Sequence, residues 1–144
     1  MINILNGIDI TSSALNAERI RMDVVSQNIA NANTSRGLDG KPYQRQQVVF
    51  EAALRDQIKA GDGTGTSAQP VHIARIESAN RAPRTVYQPG HPDADPSGMV
   101  SLPNINVHEE MVDLMSASRA YEANLSAVKT ARSMALQTLS IGKR

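Results

Sequence analysis

The sequence contains no cysteine and no tryptophan, and aromatic residues make up only 3% of its 144 residues. The absence of cysteine excludes disulfide bonds, catalytic thiolates and thiolate metal sites. With 15 Lys and Arg residues against 14 Asp and Glu residues, no charge of one sign is in clear excess. Such a balance gives no field that would gather nucleic acid or an anionic membrane.

Long hydrophobic runs are also missing, so the sequence predicts no membrane-spanning helix, which needs about 18 or more apolar residues in succession. The N-terminal apolar residues are interrupted by Asn3 and Asn6, and the first basic residue is Arg19. A cleaved secretory signal has a basic start and a continuous apolar stretch. We therefore expect a cytosolic protein, or one that leaves the cytosol by another route.

Large apolar residues are scarce, because Leu, Ile, Val and Phe account for only 31 of the 144 residues. This share lies close to the level of about 20% below which chains rarely fold alone. The low net charge nevertheless argues against simple disorder. The composition predicts a protein whose stability depends partly on a surface against which it packs.

The N-terminal part of the chain carries a seven-residue repeat and no proline. The repeated positions are Ile8, Leu15, Met22 and Ile29, with Val25 at the intermediate position. This spacing keeps one apolar stripe on one side of a slightly underwound helix. It predicts a helix over residues 4–32 that packs against a partner helix through this stripe.

A second repeat near the C-terminus advances by four and then three residues. Its positions are Val107, Met111, Leu114, Ser118, Tyr121, Leu125, Val128, Arg132, Ala135 and Leu139. Asn106 followed by Glu109 resembles a capping box, and no Pro or Gly occurs before Gly142. The pattern predicts a helix over residues 106–141 whose apolar positions pair it with the N-terminal helix and serve helix packing in an assembly.

The middle of the chain differs from both ends. Residues 43–50 favour a β-strand, residues 71–76 favour a second one, and residues 60–67 have the composition of a flexible loop. Four prolines between residues 80 and 98 predict extended chain with little strand pairing there. The expected fold is mainly α. Terminal helices from residues 1–34 and 100–144 form an antiparallel, coiled-coil-like hairpin, and residues 35–99 form a β- and loop-rich insert.

The residue patterns contain no convincing catalytic, cofactor or metal site. His91, Asp93 and Asp95 could bind a metal, but Asp and Pro in this spacing are far more typical of a turn. Glu109 and Glu110 lie where acidic residues favour the start of a helix. Arg36, Lys41 and Arg45 are too few, and have too few stacking aromatic residues, for nucleic acid. The sequence therefore predicts neither an enzyme nor a cofactor.

Both termini resemble the signatures of bacterial flagellar rod and hook proteins. The N-terminal match runs from Ser13 to Ala17 and from Met22 to Thr34. The C-terminal match runs from Asn104 to Leu114 and from Ser116 to Asn124. The residues that carry the family motifs are Asn28, Ala30, Asn31, Thr34, Tyr43, Ser118, Tyr121 and Asn124. The insert at residues 38–42, the segment Tyr87–Asp95 and the short length resemble the proximal-rod branch of this family.

The resemblance implies a non-catalytic rod subunit that polymerises through its terminal helices into the axial drive-shaft of the flagellar basal body. It implies export without cleavage through the flagellar type III apparatus and assembly in the periplasm. The implied partners are further copies, other proximal and distal rod proteins and the rod-base adaptor, with no nucleic acid and no small-molecule substrate. The alternative left open by the residue patterns is a cytosolic coiled-coil adaptor or secretion chaperone.

Overall fold

A computed structural model describes residues 4–37, 39–52 and 71–141 of the chain. Two helices, α1 (Ile4–Ala30) and α2 (Val107–Ile141), enclose four strands in the sequence. The strands are β1 (Gln46–Ala52), β2 (Val71–Ser78), β3 (Arg84–Tyr87) and β4 (Met99–Leu102). This arrangement confirms the prediction of two long terminal helices with a small β insert. The loop predicted at residues 60–67 lies outside the described residues.

The N-terminus of α2 forms for the reason predicted from its sequence. The Oδ1 of Asn106 accepts a hydrogen bond from the backbone N–H of His108 at 3.1 Å. The Nδ2 of the same side chain donates to Glu109 Oε1, also at 3.1 Å. Asn106 thus satisfies one of the free N–H groups of the first turn, and the helix begins at Val107.

The strands form two separate two-stranded antiparallel sheets. In the first, β1 pairs with β2 from Gln46 opposite Ser78 to Ala52 opposite Val71, with a shift in register between Val49 and Phe50. This sheet packs against α1. In the second, β3 pairs with β4 from Arg84 opposite Leu102 to Tyr87 opposite Met99.

The prediction of little strand pairing between residues 80 and 98 is wrong for β3. Pro83 and Pro89 flank this strand instead of interrupting it, so none of its own N–H groups is lost to proline. The return to β4 passes through Gly98, which has a φ of 76°. A Cβ atom at Gly98 would lie 2.8 Å from Cε2 of Tyr87, so this turn requires glycine.

The apolar core consists of side chains from α1 and the turn after it, from strand β4 and the segment that follows it, and from the first half of α2. Its buried side chains are Ala17, Val24, Val25, Ala32, Val100, Leu102, Ile105 and Ala117. From residue 118 to residue 141, no side chain of α2 is buried in the described structure. The core therefore supports only one end of the helix pair.

No helix in the described ranges is long and apolar enough to cross a membrane.

Candidate assembly surface and polar junction

Asn28, near the C-terminus of α1, is completely buried. Its Nδ2 donates hydrogen bonds to the carbonyl oxygen of Gln46 at 2.8 Å and to Glu110 Oε2 at 2.9 Å. Its Oδ1 accepts from the N–H of Gln46 at 2.9 Å and from the hydroxyl of Tyr43 at 3.0 Å. All the hydrogen-bonding capacity of the side chain is used. One residue thereby joins α1 to the first residue of β1 and to α2.

Glu110 faces inward from the first turns of α2 and is only 1% exposed. Its Oε1 accepts a hydrogen bond from Arg45 Nε at 2.6 Å. Asp113, about one turn further along α2, lies 3.9 Å from Arg45 Nη2 and 3.4 Å from Arg21 Nη2. A buried charge is tolerated only when it is paired and hydrogen-bonded. We call Asn28, Tyr43, Arg45, Gln46 and Glu110 the polar junction, because they hold α1, α2 and the start of β1 together.

The loop that follows α1 extends this network to further motif residues. Asn31 Nδ2 donates to the carbonyl oxygen of Gln27 at 2.9 Å, and Thr34 Oγ1 donates to Asn31 Oδ1 at 3.1 Å. The backbone N–H of Tyr43 donates to the carbonyl oxygen of Thr34 at 3.2 Å. The structure thus brings together four motif residues identified from the sequence, Asn28, Asn31, Thr34 and Tyr43. The side chain of Ala30 is exposed and lies outside this network.

Burial raises the pKa of the Tyr43 hydroxyl above its ordinary value of 10.0, and the nearby charge of Glu110 raises it further. Because the pKa is higher in the folded state than in the unfolded state, the neutral Tyr43 hydroxyl favours the folded state. This contribution to stability is complete below the unfolded-state pKa and is lost as the pH rises through the folded-state pKa. We therefore expect the free energy of unfolding to decrease above about pH 10. Urea titrations monitored by circular dichroism between pH 8 and pH 11 would measure this decrease in the free energy of unfolding. Tyr43→Phe should lessen this decrease, and a decrease of the same size in that variant would contradict the assignment to Tyr43.

The main ion pair of the junction, between Arg45 and Glu110, is not evident from the residue patterns of the sequence. Glu110 occupies an ordinary place for an acidic residue in a first helical turn, and Arg45 resembles its basic neighbours in the loop. One signal is nevertheless present in the spacing. Glu110 lies three residues after Val107 and four before Leu114, so it shares a helix face with two apolar residues. A charged residue at such a position needs a buried partner.

The least exposed side of α2 is a row that advances by three and then four residues, which we call the inner row. It contains the buried Glu110 and Ala117 and the half-buried Val107, Leu114, Tyr121, Asn124, Val128, Ala131 and Ala135. In α1, Val25 is buried, Leu15, Met22 and Ile29 are half-buried, and the side chain of Ile8 lies outside the described part. Among the motif residues of α2, Tyr121 and Asn124 belong to the inner row, and the half-buried Ser118 lies beside it.

The other half of the repeat noticed in the sequence lies on a different side of α2. Met111 is 50% exposed, Leu125 is 36% exposed and Leu139 is 70% exposed. They belong to a second stripe, here called the outer stripe: Met111, Met115, Ser118, Glu122, Leu125, Lys129, Arg132, Leu136 and Leu139. Each of these positions except Leu139 follows an inner-row position by one residue, so the two rows are about 100° apart around the helix. Helix α2 therefore presents apolar residues on two sides, and both of its buried side chains, Glu110 and Ala117, lie on the inner row.

The segment around His91 is held as a turn against the loop that follows α1. His91 Nδ1 accepts a hydrogen bond from the N–H of Asp93 at 3.1 Å. Asp93 accepts from Ser35 Oγ at 2.8 Å and lies 3.6 Å from Arg36 Nη1. No cluster of three potential metal-binding side chains occurs within the ranges that the structure describes. These contacts give His91 and Asp93 a role in fixing the turn.

Two family profiles match the two ends of the chain. Residues 8–36 match the profile described as "Flagella basal body rod protein". Residues 97–141 match the one described as "Flagellar basal body rod FlgEFG protein C-terminal". These segments contain α1 from residue 8 onward, strand β4 and all of α2. A fold with paired terminal helices and matches at both ends defines the class of flagellar basal-body rod proteins.

Similar proteins in distant bacteria narrow this class. The chain is 42% identical to the flagellar basal-body rod protein FlgC of Escherichia coli O6:H1 over 97% of its own length and 98% of that protein. It is 41% identical to FlgC of Borreliella burgdorferi and 37% identical to FlgC of Bacillus subtilis, with 96% of this chain and 97% of the relative covered in both cases. The chain belongs to the FlgC family of flagellar basal-body rod proteins. It has a structural role and is not an enzyme, and the adaptor or chaperone alternative is not favoured.

Proposed function

We propose that this chain polymerises through its terminal helices into the proximal part of the flagellar rod, which acts as an axial drive-shaft. The observation that carries the proposal is the exposure of the five large apolar residues of the outer stripe, which are Met111, Met115, Leu125, Leu136 and Leu139. Such a stripe is typical of a helix that packs against a second partner. In this proposal the inner row pairs α2 with α1, and the outer stripe contacts neighbouring subunits.

Within each subunit, residues 1–34 and 100–144 form the polymerising helical hairpin, and residues 35–99 form an insert that adds lateral contacts. Two contacts support an antiparallel pairing. Asn28 meets Glu110, and seven residues earlier in α1, Arg21 meets Asp113 further along α2. The contacts therefore move backward along α1 as they move forward along α2. The interlocking repeat of a coiled coil extends this pairing toward the other end of α2.

The proposed partners are further copies of this chain, other proximal and distal rod proteins and the rod-base adaptor. The subunit leaves the cytosol through the flagellar type III export apparatus without cleavage and assembles in the periplasm. These proposals are supported by the family to which the chain belongs, because the similar proteins are named as flagellar basal-body rod proteins. Arg132, a basic residue within an otherwise partly apolar stripe, is proposed to form an ion pair with an acidic side chain of a neighbouring subunit.

The free subunit is expected to be ordered near the polar junction and less ordered toward the far end of the helix pair. Buried side chains stop at Ala117 in α2, and ordering each helical residue costs about 1–2 kcal/mol of backbone entropy. Circular dichroism should therefore report less helix in the dilute subunit than in assembled rods. A free subunit that is fully helical and melts in one cooperative transition would contradict this expectation.

Leu125→Asp is expected to abolish motility by preventing rod assembly. The substitution places a charge in the centre of the outer stripe, where a neighbouring helix would bury it, and burial of an unpaired charge costs several kcal/mol. Because Leu125 is 36% exposed in the subunit, the variant should still be produced and exported. Swimming assays and immunoblots of purified basal bodies would measure the loss.

Ala123→Asp provides a matched control. Ala123 is exposed on the same helix but lies two residues from Leu125, about 200° around the axis. This variant should swim and enter basal bodies. Normal swimming of Leu125→Asp would refute the assignment of the outer stripe to assembly.

A further inference from the structure

Three of the six methionines in the chain are exposed on α2. Met111 is 50% exposed, Met115 is 53% exposed and Met134 is 57% exposed, whereas Met22 and Met99 are half-buried. The chain has no cysteine, so the methionine thioether is its most readily oxidised side chain. Oxidation of a thioether depends on access of the oxidant to the sulfur atom. The structure therefore divides the described methionines into an accessible and a shielded group.

Met111 and Met115 are neighbours on the helix surface. They are four residues apart, the spacing at which side chains on a helix lie one above the other. Together they form the end of the outer stripe that is nearest to the polar junction. Val112, between them in sequence, is also 60% exposed. Three exposed apolar side chains are therefore present within five residues of α2.

We infer that Met111 and Met115 form an oxidation site whose modification weakens rod assembly, an inference that rests on the proposed role of the outer stripe. In the reaction, the sulfur of each thioether attacks one oxygen of a peroxide. An S–O bond forms, the O–O bond breaks, and the sulfur loses two electrons while hydrogen peroxide is reduced to water. The product is a polar sulfoxide in place of an apolar thioether. A neighbouring subunit can bury the thioether but would have to desolvate the sulfoxide.

Met134 provides an internal control because it is at least as exposed as Met111 and Met115 but lies on another side of the helix. It is two residues from both Arg132 and Leu136 of the outer stripe. With 3.6 residues per turn, its side chain is about 200° around the axis from each of them. Oxidation of Met134 should therefore proceed as readily as that of Met111 without the same effect on assembly.

The first test measures oxidation alone. Purified full-length subunit is treated with hydrogen peroxide, and peptide mapping by mass spectrometry follows the addition of oxygen at each methionine. Met111, Met115 and Met134 should be oxidised several-fold faster than Met22 and Met99. Equal rates at Met111, Met115 and Met22 would overturn the inference.

The second test measures assembly in the flagellated bacterium that carries the gene. Met111→Gln with Met115→Gln mimics the polar product and should reduce incorporation into basal bodies several-fold, whereas Met134→Gln should not. The double variant Met111→Leu with Met115→Leu has no sulfur atom at these positions to oxidise. Peroxide treatment should therefore reduce the incorporation of this variant into basal bodies less than it reduces the incorporation of the wild-type protein. Normal incorporation of the double Gln variant, or an equal loss with Met134→Gln, would overturn the inference and leave the proposed function intact. Absence of the unmodified protein from basal bodies would instead refute the proposed function.

Discussion

Arg45→Met is expected to lower the free energy of unfolding by about 3–5 kcal/mol, because it leaves a buried carboxylate without its cation. Glu110 is 1% exposed and Arg45 is 16% exposed, and the atoms Nε and Oε1 are 2.6 Å apart. A typical domain is stable by only about 5–15 kcal/mol, so this loss would remove a large fraction of the stability. Urea titration of the purified subunit, monitored by circular dichroism, measures the change.

A control ion pair distinguishes burial from the simple loss of a positive charge. Arg81 Nη1 lies 4.0 Å from Glu109 Oε2, and both side chains are about half exposed or more. Exposed pairs of this kind contribute about 0–1 kcal/mol, so Arg81→Met should have a small effect. An equally large loss in both variants would show that Arg45 does not act through the buried pair.

Removing both charges provides a second check. The double variant Arg45→Met with Glu110→Gln leaves no buried charge, and the Gln side-chain oxygen can still accept the hydrogen bond from Asn28. Replacing a buried ion pair with uncharged residues is often nearly neutral. The double variant should therefore regain most of the stability lost in Arg45→Met. No recovery would mean that Arg45 stabilises the fold through contacts other than the one with Glu110.

Asn28→Asp is the second substitution with a large expected effect, at least about 3 kcal/mol in the free energy of unfolding. The carboxylate cannot donate to the carbonyl oxygen of Gln46, and it replaces a donor that lies 2.9 Å from Glu110 Oε2 with a negative charge. Two buried carboxylates at that distance repel each other. Thermal unfolding of the purified subunit, compared with the wild type, measures the loss.

The effect of Asn28→Asp should depend on pH in a defined direction. As the pH falls, one of the two carboxyl groups takes up a proton, which removes the repulsion and restores a donor. The difference in stability from the wild type should therefore shrink toward acid pH and grow toward neutral pH. Asn16→Asp, an exposed position on the same helix, should change stability by only about 0.5 kcal/mol. A loss that does not vary with pH would contradict the proposed repulsion.

The long elements could be predicted from the sequence because local signals define them. The absence of proline, the seven-residue repeats and the cap at Asn106 predict both helices, and the observed ends differ from the predicted ones by no more than two residues. The strand near residue 46 and its partner after residue 70 follow from β-branched and aromatic content. Strand β3 is not predictable from the sequence, because prolines near a short strand resemble those of a turn-rich segment. Only the pairing of β3 with β4 distinguishes the two cases.

The side of each helix that faces its partner depends on more than the repeat. In α2, the inner row and the repeat seen in the sequence share the positions Val107, Leu114, Tyr121, Val128 and Ala135. They differ in the positions between these. The sequence repeat has large apolar residues there, such as Met111 and Leu125, whereas the inner row has small ones, such as Ala117 and Ala131. The sequence pattern favours the larger apolar residues, but the structure places the smaller ones on the inner row. Small side chains at these positions permit a closer approach of another helix.

The terminal helices, the insert between them and the family to which the chain belongs can all be predicted from the amino-acid order, because repeats, caps and motifs are properties of neighbouring residues. Which apolar residues of α2 are left exposed, and how Asn28, Arg45 and Glu110 meet, depends on the folded arrangement. These residues are far apart in the chain, and their partnership depends on the packing of three elements. The physical reason is that a charge or an amide becomes a structural tie only where folding removes water from it.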